Sequence, residues 1–116
     1  MTHPNKVKGD RAELEVARLI HDLTGWPARR KLGAGRTDDE GDIEGVPNTC
    51  IQVANWLDVL RAVRQKPIEA EQQRINAGVP FVATMIRLRG GDWRVVLTLD
   101  QWAIYARESI QPTENK

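Results

Sequence analysis

The stretch Gly41-Asp42-Ile43-Glu44-Gly45-Val46-Pro47-Asn48-Thr49-Cys50-Ile51-Gln52-Val53-Ala54-Asn55 decides the fold. Gly45-Val46-Pro47-Asn48 is a run of turn formers, so it separates a short strand around residues 41–44 from a second strand, rich in β-branched residues, at 49–55. Gly33-Ala34-Gly35 brackets the first strand on its other side. The two-residue period of the second strand places Cys50, Gln52 and Ala54 on one face and Ile51, Val53 and Asn55 on the other. Asp42 and Gln52 are therefore expected on a common face at one end of a sheet, unless a bulge near Gly41 reverses the alternation.

Upstream, residues 8–24 predict a helix, because Ala12, Val16, Leu19, Ile20 and Leu23 recur at helical spacing and Gly25 follows as a stop. Glu13 lies beside Ala17 and Ile20 on that helix, so its carboxylate borders the buried stripe. Downstream, residues 57–77 are helical in pattern, with an interruption at Lys66-Pro67 that allows two helices or one kinked helix. Residues 81–89 and 93–97 predict strands joined by Gly90-Gly91-Asp92, and Asp100 is expected to cap a last helix through residue 107. Residues 1–5 and 111–116 are expected to fray. The order predicts a mixed sheet in a three-layer α/β or α+β domain.

The chain has 116 residues, 41% hydrophobic and 28% charged, which suits one domain over 1–116 with its core at about 6–109. No apolar run approaches the ~20 residues of a membrane span, and the start lacks the apolar stretch of a secretory signal, so the cytoplasm is expected. Cys50 is a single cysteine and the histidines are His3 and His21, so neither an internal disulfide nor a structural zinc cluster is expected. A net charge of +1 carries no case for nucleic acid, but its distribution does. Arg29, Arg30, Lys31 and Arg36 run into Asp38, Asp39, Glu40 and Asp42, and Arg61, Arg64, Lys66 and Arg74 follow. An acidic pocket rimmed by cations suits a surface that grips phosphodiesters; the bland alternative is a set of solvated charges. His21 reads as an ordinary helix residue, Trp93 and Trp102 as packing, and Gly90-Gly91 as a turn rather than a phosphate loop.

The ordered set Lys8-Gly9-x-x-x-Glu13, Gly33-Ala34-Gly35, Gly41-Asp42-Ile43 and Ile51-Gln52-Val53 resembles the PD-(D/E)xK nucleases. It is most similar to the small Holliday-junction resolvases of archaea and phages, over roughly residues 6–102. The resemblance implies an α/β fold, a mixed-sheet α-β-α sandwich of the restriction-endonuclease kind. It also implies Mg²⁺-dependent (or Mn²⁺-dependent) hydrolysis of DNA in recombination, by a homodimer that binds branched or double-stranded DNA. By the same resemblance Glu13 and Asp42 map onto metal-site carboxylates and Gln52 onto the third ligand. Lys8, Arg29, Arg30, Lys31 and Arg36 map onto contacts with the DNA backbone.

The family pattern carries Glu and Lys where this chain has Gln52 and Ala54. Gln52 offers a carbonyl without charge, which weakens Mg²⁺ binding, and Ala54 offers no ammonium to the transition state. Some members of the family place the lysine on a neighbouring helix, which makes Lys66 the first candidate, ahead of Arg61 and Lys31. Two functional readings follow: an impaired structure-selective endonuclease, or a catalytically degenerate relative that binds DNA or a protein partner.

Overall fold

The protein is described by a computed structural model that covers residues 4–32 and 41–112. It is an α/β domain: a five-stranded mixed sheet in the order β1-β2-β3-β4-β5 with helices packed against it. Helix α1 spans Pro4–Thr24 and buries Ala12, Val16 and Ala17. It is already helical at Pro4, so Pro4 and Asn5, expected to fray, are part of it; proline suits a first turn because its missing N–H would have no intrahelical partner. Gly25, at φ 79°, donates its N–H to the carbonyl of His21 and ends the helix.

The basic residues Arg29–Arg30 form strand β1. It pairs antiparallel with β2, Ile43–Glu44, in the register Arg29 to Glu44 and Arg30 to Ile43. Strand β2 in turn pairs antiparallel with β3, Thr49–Ala54, with Ile43 opposite Ile51. The chain then crosses over through α2, Val59–Ala77, and returns as β4, Phe81–Arg87, parallel to β3. β5, Trp93–Val96, completes a hairpin with β4 and leaves an edge strand.

Of the two arrangements open at Lys66-Pro67, the chain adopts one helix with Pro67 inside it, capped by Asp58, whose side chain accepts from the N–H of Arg61, and ended by left-handed Gly78. Helix α3, Leu99–Ser109, is capped by Thr98 rather than by Asp100. Thr98 accepts from the N–H of Gln101 while the Gln101 side chain accepts from the N–H of Thr98, a reciprocal box that Asp100, already in the first turn, cannot form.

The strand alternation sorts the core into layers. Ile43 and Ile51 pack with Val16 and Ala17 of α1, whereas Cys50 and Ala54 pack with Ala70 and Ala62 of α2. Two glycines allow close backbone approach. At Gly45, φ 94°, a Cβ would lie 2.0 Å from the carbonyl oxygen of Pro27, and at Gly41, φ 102°, one would lie 2.9 Å from both Cys50 Sγ and the carbonyl oxygen of Ile51.

Candidate functional site

Asp42 is set by the tight approach at Gly41. Its N–H donates to the carbonyl of Ile51 at 2.7 Å, its carbonyl accepts from the N–H of Lys31 at 2.8 Å, and its carboxylate Oδ2 accepts from the N–H of Val53 at 2.8 Å. The carboxylate is thereby fastened across β3 to the residue after Gln52. With the amide of Gln52 assigned from its neighbours, its nitrogen donates to Asp42 Oδ2 at 3.3 Å and to Gln73 Oε1, and its oxygen accepts from Lys66 Nζ at 2.8 Å. Gln52 is 5% exposed, so these partners hold it in place of water.

Lys66 reaches this point because of two spacings. Ala62 and Lys66 are one helical turn apart on α2, and Ala54 and Gln52 are two residues apart on one face of β3. Ala54 meets Ala62 and Ile86 in a closed cluster, which brings helix and strand close enough for Lys66 to meet Gln52 one step further along. Lys66 Nζ also lies 3.3 Å from Glu69 Oε1 and 5.4 Å from the centroid of the Trp56 ring. Behind it, Gln101 of α3 donates to the carbonyl of Pro67 at 2.9 Å, so α3 grips α2 at the residue next to the lysine.

Glu13 approaches from α1. Its carboxyl has a raised pKa, first because of burial and then because of the negative charge of Asp42, with a bond from Arg30 acting in the opposite direction. Arg30 donates from Nε to Glu13 at 2.9 Å and from its terminal nitrogen to Asp10 at 2.7 Å. One guanidinium on β1 thus holds two carboxylates of α1.

The structure therefore brings Glu13, Asp42, Gln52 and Lys66 into one neighbourhood, with Arg30 turned inward onto carboxylates. Arg29 stays largely exposed, 3.6 Å from Glu44. Lys31 is adjacent through its backbone bond to Asp42. Lys8 lies on α1, its side chain outside the description, and Gly33-Ala34-Gly35, Arg36, Asp38, Asp39 and Glu40 lie outside the described residues. Among the described residues no group of three His, Cys, Asp or Glu side chains is placed to share a metal.

Asp10 and Gln73 were missed in the sequence. Asp10 is three residues before Glu13 and hence on the same helix face, a signal that was present. Gln73 extends the inward stripe of Ala62, Lys66 and Ala70, where a polar side chain is informative because it must find a partner.

Compared with protein families, curated proteins and solved structures, the chain matches none.

Proposed function

We propose that the chain is a Mg²⁺- or Mn²⁺-dependent endonuclease of the resolvase type, acting on branched DNA. Glu13 and Asp42 supply the anionic oxygens and Lys66 supplies the cation that the sequence lacks at position 54. The observation that carries this reading is the 2.8 Å approach of Lys66 Nζ to the side chain of Gln52, which itself touches Asp42. Glu13 and Asp42 offer the hard oxygen donors that a divalent cation takes, and the pKa of Glu13 is raised first by burial and then by the charge of Asp42. When bound, such an ion supplies a water of lowered pKa and offsets charge on the phosphate. The residues of the chain do the rest. Lys66 places an ammonium on the side chain of Gln52, which itself touches Asp42 and so orients that ammonium, and Arg29 and Lys31 would line the rim where a DNA backbone passes.

A homodimer belongs to this reading, because a two-fold branched substrate is engaged most simply by a two-fold protein. The exposed apolar surface at Trp26, Val95 and Trp102 supports it. On the membrane side, no described helix is long and apolar enough to cross a bilayer.

A second reading, a degenerate nuclease fold that binds DNA or a protein without cutting, is favoured by one observation. Both carboxylates already have protein donors, Arg30 for Glu13 and the amide of Gln52 for Asp42. Incubating labelled four-way junctions with Mg²⁺ or Mn²⁺ separates the two. The endonuclease reading expects cleavage that is lost in Asp42→Asn and Lys66→Ala; binding without cleavage in either metal supports the second reading, and cleavage indifferent to Asp42→Asn removes the site.

A further inference from the structure

Next to the carboxylates is a cleft of about 460 Å³ that the proposed chemistry leaves unused. Its walls include Gly9 of α1, Val53 and Asn55 at the end of β3, and Trp56, Asp58 and Arg61 at the start of α2. Val53 joins the two sites, since it lines the cleft and its N–H holds Asp42. Trp56 is partly buried, its ring packed against the Ala54, Ala62 and Ile86 cluster, and it still lines the cleft. Two cations attend the ring: Arg61 at 5.8 Å and Lys66 at 5.4 Å from its centroid. The carboxylate of Asp58 is engaged by the N–H of Arg61 at 3.0 Å as the cap of α2.

We infer that this cleft is a stacking site for one unpaired nucleobase, adjoining the phosphate that the carboxylates and Lys66 would face; the inference rests on the nucleic-acid reading above. Arg61 lines the cleft and lies over the ring, so a base entering there would take the place of the guanidinium on the π-face and leave it for a flanking phosphate. Asn55 adds an amide at the cleft wall, a group that can both donate to and accept from a base edge. Bases inside a continuous duplex have both faces covered, so only a nucleotide at a branch, fork or single-stranded tail can use the ring. Trp56 would thereby select for DNA structure without reading sequence, as a specificity residue and not a catalytic one.

The test uses forked DNA carrying the fluorescent base 2-aminopurine at its first unpaired position, with Ca²⁺ present, and a fully paired duplex of the same length for comparison. The natural chain should change the probe's fluorescence and prefer fork to duplex. Trp56→Leu should abolish that change and weaken fork binding by about 10-fold or more, Trp56→Phe should keep most of both, and duplex binding should be the same for all three. Equal losses on fork and duplex, or a Trp56→Leu protein of unchanged circular dichroism that binds and perturbs the probe as before, would overturn the inference. So would a natural chain that neither perturbs the probe nor prefers the fork, a result that depends on no variant's folding. Binding that depends on Trp56 in a protein that cuts nothing in Mg²⁺ or Mn²⁺ supports the stacking site and removes the endonuclease reading alone. A chain that binds no DNA removes both.

Discussion

Asp42 Oδ2 accepts a hydrogen bond from the backbone N–H of Val53 at 2.8 Å, so the central carboxylate of the site is also a structural tie between β2 and β3. Substitutions at Asp42 therefore separate chemistry from folding. Asp42→Asn keeps an acceptor for Val53 and should fold with a nearly unchanged melting temperature while losing divalent-metal affinity by calorimetry. Asp42→Ala leaves the N–H of Val53 without its acceptor and should cost about 1–3 kcal/mol in urea unfolding. Equal stability of the two variants would mean that the tie contributes nothing.

Lys66→Ala should lower any metal-dependent cleavage by ~10²–10³, the usual cost of one preorganised electrostatic contact. Installing the ammonium where the family pattern has it should fail. Ala54 is 1% exposed against fully buried Ala62 and Ile86, so Ala54→Lys forces both volume and charge into a closed cluster and should destabilise the protein by about 3 kcal/mol or more. A stable Ala54→Lys protein with enhanced cleavage would contradict this packing argument.

Gly41→Ala should disturb fold and site together. At φ 102° a Cβ would lie 2.9 Å from the backbone oxygen of Ile51, so β2 must move away from β3 and carry Asp42 with it. The expected outcome is a loss of about 1–3 kcal/mol in denaturant unfolding, with a changed amide NMR shift at Val53. An unmoved Val53 resonance would show that the approach at Gly41 does not set the carboxylate.

Two carboxylates give the stability opposite dependences on pH. Bonds from Arg74 hold Glu71 below the ordinary value of 4.5, so its contribution is present above that value and is lost as pH falls through the lowered folded pKa. Glu13 is raised, mainly by burial, so its ionised form disfavours the folded state at neutral pH, and stability should rise as pH falls through its folded pKa toward 4.5. Thermal melts should show a rise on mild acidification followed by a fall. Glu13→Gln should remove the rise and melt no lower than the natural chain at pH 7, whereas Glu71→Gln should blunt the fall. A Glu13→Gln protein that melts well below the natural chain at pH 7 would mean that its bond with Arg30 outweighs burial.

The α/β class, the strand faces around Gln52 and the helical crossover were legible because each is written in local periodicity: alternation over 49–54 and helical spacing from Val59 to Ala77. Lys66 could be named as a candidate but not placed, since its position follows from the thinness of Ala54 against Ala62, a packing relation between distant segments. The role of Arg30 was hidden for a related reason. A basic run before an acidic one reads as a rim for phosphates, whereas in the fold the two-residue strand β1 turns Arg30 toward α1, where Asp10 and Glu13 wait at adjacent turns. The capping of α3 by Thr98 was readable, with Gln101 three residues on, and was obscured by the more familiar capping residue Asp100.

The parallel pairing of β3 with β4 also ties the site to a long-range closure of the chain. Parallel neighbours cannot be joined by a tight turn, so the ladder between them closes a loop that contains all of α2, and the entropy of that closure is set by the whole segment. Lys66 rides on the segment that closes. The contact of Lys66 with Gln52 therefore depends on the same long-range closure that pairs β3 with β4, and not on the local structure of either segment.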